Sequence, residues 1–278
     1  MINYEISIII PTFNRANFLK TCIDSCLAQT QQCEIIVCDH GSTDNTPEVA
    51  KSYGDKIKYV RRELDSGVHF CWLDGVLHAK NDFIHINYDD DWIAPTYIEE
   101  CAKLINDNVG CVFTEVQLFD ESNNEFGRTI FNLENQSGIF PIKKIKHFNL
   151  KYLTSPGGGV FRKQILLDSL FVGNIPFTKN HYHGVGPDIL FSLMSTVNYS
   201  HYGFVNKPLA FFRVHENSIT IDAQSNKTKS LKIKKAYEDA KIYFFIYKFV
   251  SLFNIYNVAK LYYKIRKNFI KIKNNNND

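Results

Sequence analysis

The sequence predicts an α/β fold in which helices flank a mostly parallel central sheet, followed by a helical, basic C-terminal extension. Over the first 115 residues, short β-branched runs alternate with helical patterns, as in parallel strands joined by crossover helices. Residues 1–226 hold 19 Lys and Arg against 26 Asp and Glu, whereas residues 227–278 hold 13 against three. The net charge of +3 therefore conceals a basic C-terminal segment, which is typical of a region with an anionic partner.

Hydrophobic periodicity and helix or strand breakers divide the first half of the chain. Short runs rich in Ile, Val and aromatic residues predict strands at 6–10, 34–38, 57–60, 83–87, 109–113 and 115–119. We expect Pro11 to end the first strand. Apolar residues at helical spacing predict helices at 17–29 and 70–79, and prolines at their first turns predict helices between 46 and 54 and from 95 to about 106.

The second half is less regular in sequence. Between about residues 120 and 215 turn residues are frequent, as in the run 155–159, so we expect mixed structure and loops there. Pro208 is the last of eight prolines, and the chain beyond it, through Ile272, can form one or two helices. We divide the chain into residues 1–115, 116–222 and 223–278.

Composition sets the class of protein. With 278 residues and 45% apolar content the chain can bury a sizeable core. No run approaches the about 18 consecutive apolar residues of a spanning helix, and the N-terminus lacks the pattern of a secretory signal, so we expect a cytoplasmic protein. The seven cysteines, all within the first 111 residues and without a Cys-x-x-Cys pair, are expected to be reduced core residues.

Three polar clusters follow predicted parallel strands: residues 11–15, 39–44 and 89–91. Open α/β sheets bind ligands at this edge. Three adjacent carboxylates, Asp89, Asp90 and Asp91, repel each other unless a cation or solvent separates them, so this cluster predicts a site for Mg²⁺ or Mn²⁺. From the cluster alone, the alternative is a solvated acidic turn that caps the next helix.

In order and spacing, four segments together resemble the family 2 glycosyltransferases with the GT-A fold. They are Ile8-Ile9-Ile10-Pro11-Thr12-Phe13-Asn14-Arg15, Asp39-His40-Gly41-Ser42-Thr43-Asp44, Asp89-Asp90-Asp91 and Phe212-Arg213-Val214-His215-Glu216-Asn217-Ser218. The resemblance covers about residues 5 to 220 and implies a Rossmann-like sheet and a hexosyltransferase activity. The sequence departs from the family at His40, where a second Asp is more frequent.

The resemblance also implies roles for individual residues. It places the nucleotide, commonly a uridine diphosphate, against Pro11, Thr12, Asn14, Arg15, Asp39, Asp89 and Asp90. Asp39 would recognise the base and Asp89 would lie near the ribose, while Asp91 and His215 would hold the metal. Arg213 and His215 would close over the diphosphate from a mobile loop.

A direct displacement at the anomeric carbon needs a carboxylate to accept the proton of the acceptor hydroxyl. In the family an acidic residue at a helix start, roughly a hundred residues beyond the metal motif, has this role, and Asp188 matches that position. A helix N-terminus favours its ionised form. Without the resemblance, Asp188 would be a helix residue that balances the dipole.

Further residues are candidates for the acceptor or sugar pocket. His181 and His183 alternate in an extended segment and are expected to contact the acceptor more readily than a metal. The resemblance places Gly158 beside the sugar, where glycine permits close backbone approach.

The C-terminal extension interleaves Lys and Arg with Tyr, Phe, Ile and Leu, as helices in a membrane interface do. The alternative is a helix packed on the protein's own core. Membrane contact would suit a lipid-linked saccharide acceptor in O-antigen, capsule or related polysaccharide synthesis at the inner face of the cell membrane, and truncation at residue 226 would then spare transfer to a soluble acceptor.

Two other classes of function agree with parts of the sequence. A phosphatase or phosphotransferase also needs paired aspartates and magnesium, but no acid follows the first strand. A non-catalytic membrane or nucleic-acid binding module gives no reason for residues 89–91, and nucleic acid is not an expected partner. The sequence leaves open whether the chain forms a homodimer.

Overall fold

A computed structural model gives the fold, and it describes residues 4–144, 155–172, 175–176, 178, 185–215 and 227–253. In the first half the elements are β1 (Ile6–Thr12), α1 (Ala16–Leu27), β2 (Glu34–Asp39), α2 (Thr46–Lys51), β3 (Lys58–Arg61), α3 (Val68–His78), β4 (Phe83–Ile86), β5 (Trp92–Ile93), α4 (Tyr97–Ala102) and β6 (Val109–Asp120). The second half adds β7 (Glu125–Ile130), β8 (Gly138–Pro141), β9 (Gly159–Arg162), α5 (Lys163–Ser169), α6 (Pro187–Asn198), β10 (His201–Val214) and α7 (Lys227–Phe253).

The strands form one sheet in the order β3-β2-β1-β4-β9-β6-β10-β5, with β7 beside β6 and β8 beside β10. Strands β3, β2, β1 and β4 are parallel, and β6 and β10 are parallel to each other. Because β9 pairs antiparallel with both β4 and β6, it is a single reversed strand between two groups that run the same way. The predicted α/β fold with a mostly parallel sheet and flanking helices is confirmed.

Apolar side chains fill both faces of the sheet. One cluster packs α1 and α4 against the sheet, with Leu19, Ile23 and Ile98 fully buried. The other packs α3 and α6, with Trp72, Val76 and Phe191 buried. All seven cysteines are free thiols, and all but Cys33 are buried, as the sequence predicts.

Helix α7 packs on α6 through a third cluster, in which Ala240 and Phe244 lie against Ile189 and Leu193. Its opposite face is exposed and apolar at Ile242, Ile246, Phe249 and Val250. Packing on the protein's own core is therefore observed for the described part of this helix, and its exposed apolar face still leaves room for contact with a membrane. Truncation at residue 226 would remove part of the core, so it cannot separate membrane binding from folding. No helix in these ranges has the length and apolarity needed to span a membrane.

Strand β1 continues through Pro11 to Thr12, beyond the predicted end at residue 10. Ile9 is the last β1 residue opposite β4, and its carbonyl accepts a hydrogen bond from Asn87 N–H at 2.9 Å. Pro11 points to the same side, where β4 has ended, so its missing N–H leaves no partner unpaired.

Two predicted strands, 109–113 and 115–119, form the single strand β6. Its neighbour β10 runs for 14 residues through Pro208, in a segment where we expected loops. The register between β10 and β6 shifts on either side of Pro208, so a local irregularity accommodates the proline without ending the strand.

Candidate active site

The loop after β1 is held by the loop after β2. Asn14 has a left-handed backbone, with φ of 53°. Its N–H donates to Ser42 Oγ at 2.9 Å, and its Oδ1 accepts a hydrogen bond from Thr43 N–H at 2.7 Å. Arg15 N–H donates to Thr46 Oγ1 at 3.0 Å. The Asn14 side chain thus holds residues 13–15 against the loop after β2.

Asp39, at the end of β2, is buried and surrounded by donors. Oδ1 accepts from the N–H groups of Gly41 and Ser42, at 3.1 and 2.8 Å. Oδ2 accepts from Tyr59 Oη at 2.7 Å and from Arg61 Nη1 at 2.9 Å. Burial acts to raise the pKa of Asp39, but these donors outweigh it and lower the pKa. Its carboxylate is therefore already engaged with the protein.

His40 makes two contacts beside this site. Its Nδ1 lies 2.6 Å from Asp65 Oδ1, and the same oxygen accepts a hydrogen bond from Gly67 N–H at the start of α3. Its ring stacks on Phe13, with centroids 4.8 Å apart. The departure from the family pattern at His40 thus links β2 to α3 and supports an exposed aromatic ring.

The acidic loop, residues 89–91, follows β4 and is brought to β10 by the pairing of β5 with β10. Asp91 directly precedes β5, which pairs antiparallel with β10 so that Trp92 faces Phe211. Arg213, 122 residues later than Asp91, donates from its backbone N–H to Asp91 Oδ1 at 2.9 Å. His215 Nε2 lies 3.1 Å from Asp90 Oδ2. Two of the four segments that carry the family resemblance, residues 89–91 and 212–218, therefore meet through Arg213 and His215.

The structure corrects the placement of Arg213, which we expected in a mobile loop. It lies in β10, and its Nε donates to the Asp90 carbonyl at 3.1 Å. Its Nη1 bonds Glu121 at 3.1 Å, and its guanidinium lies 5.1 Å from the Trp92 ring. Sheet pairing on one side and aromatic packing on the other fix the side chain. His215 directly follows the strand.

The carboxylates of the acidic loop are held in an unfavourable setting for charge. Burial, and then the charge of Asp90, raises the pKa of Asp89 to about 7. The same two causes raise the pKa of Asp91 well above its usual value. Within the described residues no hydrogen bond reaches Asp91 Oδ2.

This donor set fits a hard divalent cation, because a nearby positive charge would stabilise the ionised form of both acids. No group of three or more His, Cys, Asp or Glu side chains placed to hold a metal occurs in the part of the chain that the structure describes. Mg²⁺ typically binds one or two protein carboxylates and takes its remaining ligands from water and substrate phosphates. The cation remains a prediction.

Asp188 lies in the first turn of α6 and is half-buried. Oδ1 accepts from the N–H groups of Gly186 and Ile189, each at 2.8 Å, and Oδ2 accepts from Tyr237 Oη at 3.2 Å. Burial outweighs these bonds and raises the pKa of Asp188 to about 6. We expected the helix N-terminus to favour ionisation, but desolvation dominates here. At neutral pH the carboxylate remains mostly ionised and can accept a proton.

Sequence reasoning missed two aromatic residues, Tyr88 and Trp72, that connect the acidic loop to α6 through the contact of Trp72 with Phe191, whose ring centroid lies 5.9 Å away. Burial raises the pKa of Tyr88, and the charges of Asp188 and Asp91 raise it further. Trp72 packs on Tyr88, with centroids 6.0 Å apart, and its buried Nε1–H meets no hydrogen-bond partner among the residues that the structure describes. Tyr88 could have been noticed because it directly precedes the acidic run, whereas nothing in the sequence distinguishes Trp72.

Gly158 is buried in the turn before β9. A Cβ there would lie 2.8 Å from Val116 Cγ2, so the packing of the protein itself requires glycine. Its predicted contact with a sugar stays a prediction. His181 and His183 lie outside the described residues.

Comparisons with known proteins agree with this geometry. The family described as "Glycosyl transferase family 2" matches residues 7–169, more than half of the chain. An uncharacterized glycosyltransferase of Rickettsia felis is 36% identical over 146 residues, covering 50% of this chain and 23% of that protein. The chondroitin synthase of Pasteurella multocida is 36% identical over 114 residues, covering 39% and 12%.

The chain thus spans less than a quarter of the length of these two relatives. Among solved structures, S. aureus TarS 1–349 in complex with UDP has a TM-score of 0.59 at 18% identity, over 82% of this chain and 65% of that one. This likeness shows a shared GT-A fold. The match over residues 7–169 establishes that the chain belongs to the family 2 glycosyltransferases.

Proposed function

We propose that the chain is an inverting glycosyltransferase that moves a hexose or an N-acetylhexosamine from a UDP-sugar to a saccharide acceptor. One observation carries this proposal: β5–β10 pairing joins the acidic loop to Arg213 and His215, and the ring of Trp72 contacts both Tyr88, next to that loop, and Phe191, on the helix of Asp188. Groups for the departing diphosphate and a base for the acceptor thus lie on elements that pack on the same tryptophan. UDP and UDP-GlcNAc in TarS structures support a uridine donor.

The nucleotide would lie along the ends of β1, β2 and β4. Phe13, which is 36% exposed and stacked on His40, offers a platform for the base. Asp39 would contribute to binding of the base partly by positioning Arg61, which donates to the Asp39 carboxylate from Nη1 and to the Ser42 carbonyl from Nη2, at 3.1 Å. Pro11, Thr12, Asn14 and Arg15 are proposed to shape this side of the site, with Asp89 and Asp90 near the ribose.

Asp91 is proposed to hold Mn²⁺ or Mg²⁺ through its carboxylate, with His215 beside it. A bound divalent cation would neutralise the charge that develops on the leaving diphosphate. Arg213 orients Asp91 through its backbone N–H, and its fixed guanidinium adds positive charge beside the loop.

In the proposed reaction the acceptor hydroxyl oxygen attacks the anomeric carbon from the side opposite the diphosphate. The new C–O bond forms as the bond to the phosphate oxygen breaks, and UDP leaves with that electron pair. Asp188 accepts the hydroxyl proton, most simply on Oδ2, because Oδ1 already accepts two N–H bonds. One displacement inverts the anomeric configuration.

We propose that α7 docks on an anionic membrane surface, where the acceptor would be carried on a polyprenyl diphosphate lipid. Its outward face exposes Ile242 and Phe249 by 56% each, and the exposed Lys232 and Lys235 extend this face toward the start of the helix. Apolar side chains can enter the headgroup region while lysines meet lipid phosphates. In this scheme residues 1–115 bind the donor, 116–222 bind the acceptor and carry the base, and 223–278 meet the cytoplasmic face of the membrane.

The function is tested by screening UDP-sugars for Mn²⁺-dependent release of UDP, beginning with UDP-GlcNAc. Asp188→Asn should abolish transfer and leave UDP binding by calorimetry unchanged, because only the proton acceptor is lost. Asp55→Asn, at an exposed acid after α2, is the matched control and should remain active. Full turnover by the Asp188 variant, or transfer unaffected by EDTA, would refute the proposal.

Membrane docking is tested by sedimentation with vesicles of phosphatidylglycerol or of phosphatidylcholine. The double variant Ile242→Asp, Ile246→Asp should lose binding to the anionic vesicles, since both side chains lie on the outward face of α7. Leu77→Asp, at a position 62% exposed on α3, is the matched control and should bind normally. Equal binding by the double variant and the control would exclude α7 as the docking surface.

A further inference from the structure

The C-terminal helix contacts the proposed base directly. Asp188 Oδ2 accepts a hydrogen bond from Tyr237 Oη at 3.2 Å, and Tyr237 lies 49 residues later in the chain. The family match ends at residue 169, so both partners lie beyond it. The hydrogen bond therefore joins α6 and α7, both outside residues 1–115.

The backbone of α7 also packs against the turn that carries Asp188. Gly186 has a φ of +113°, and a Cβ there would lie 3.3 Å from the Ala236 carbonyl. Ala236 and Ala240 are buried on this face of α7, and their small side chains allow the close approach. Tyr237 follows Ala236 directly, so the contact that places the helix against the turn also places the phenol.

We infer that Tyr237 is a positioning residue that holds the Asp188 carboxylate in the orientation needed to accept the proton. Two N–H groups fix Oδ1, but both come from the same turn and leave the other oxygen free to vary. The phenol of Tyr237 fixes Oδ2 from a separate element. This inference rests on the proposed role of Asp188 as the base.

The hydrogen bond from Tyr237 also changes the affinity of the Asp188 carboxylate for a proton. A hydrogen bond donated to the ionised carboxylate opposes the effect of burial and lowers the pKa of Asp188. Among the described residues, the titratable groups that face Asp188 are Tyr237 from α7 and Tyr88 from the loop after β4. Removing the Tyr237 hydroxyl should therefore raise the pKa of Asp188.

The test uses the full-length protein and the variant Tyr237→Phe, which keeps the packing ring. The pKa of the Asp188 side chain is measured by carbon-detected NMR titration, with Asp188→Asn used to assign the signal. We expect Tyr237→Phe to raise this pKa by about one unit, the scale of a lost hydrogen bond to a charged group. Tyr243→Phe, on the same helix but packed on Phe171 at 5.2 Å, is the matched control and should leave the pKa unchanged.

Transfer kinetics separate this inference from the proposed function. With UDP-GlcNAc or another active donor from the screen, Tyr237→Phe should move the acid limb of the pH–kcat profile to higher pH by about one unit, the expected rise in the pKa of Asp188. The affinity for UDP should be unchanged. An unchanged Asp188 pKa and an unchanged profile would overturn the role of Tyr237, even if Asp188→Asn is inactive. Activity in Asp188→Asn would instead overturn the assignment of the base.

Discussion

Replacing Phe244 with Ala measures how strongly α7 belongs to the folded core. The ring is fully buried between α7 and α6, close to Leu190 and Leu193. Losing a buried Phe removes about 1.5–3 kcal/mol of transfer free energy and leaves a cavity, so that Phe→Ala changes cost about 3–5 kcal/mol. Because α7 packs on α6 from one side only, we expect the helix to close part of the cavity, and the free energy of unfolding to fall by about 3 kcal/mol.

The assay is urea unfolding followed by tryptophan fluorescence, with the midpoint and slope compared among variants. Ile242→Ala is the matched control, two residues away on the outward face of the same helix and 56% exposed. Its free energy of unfolding should change by no more than about 0.5 kcal/mol. Equal effects of the two substitutions would show that α7 does not pack on α6, and would remove the basis for the contact between Tyr237 and Asp188.

Two further predictions concern the base and the core. At saturating donor and metal, kcat should fall about tenfold per pH unit below pH 6, because Asp188 has a pKa of about 6 and cannot accept the proton once it is protonated. A kcat that is constant from pH 5 to 7 would exclude Asp188 as the base. Gly75→Ala should lower the free energy of unfolding by about 1–3 kcal/mol in the same urea assay, since its Cβ would clash with Ile9 Cγ2 and lie 3.0 Å from Cys38 Sγ. Gly127→Ala, with nothing nearer than 3.6 Å, should change it little.

The fold of residues 1–115 was largely predictable from sequence because most elements there carry their own local signal. Strands such as β2 are buried apolar runs, and helices such as α1 have one apolar face, so local pattern and final structure agree. The β10 strand could not be predicted in this way. Its path through Pro208 depends on pairing with β6 and β5, which local sequence does not reveal.

The same distinction applies to the candidate site. Motifs identify candidate residues, and the structure places two of them, Asp91 and Arg213, beside each other. Motifs do not show which atoms are already engaged. Asp39 accepts four hydrogen bonds from the protein, a state that follows from Tyr59 and Arg61 on the neighbouring strand β3. Such partners become visible only when strand register is known.

The three functional segments that we propose share one folded body. Strand β9, from the second segment, lies between β4 and β6 of the sheet, and β10 pairs with β5 of the first. Helix α7, from the third, completes the packing around α6 and bonds the proposed base. The segments therefore describe roles along a single sheet and not units that fold separately. For this reason point substitutions on α7 can separate its contacts with lipid, core and base, whereas removing the helix would disturb all of them.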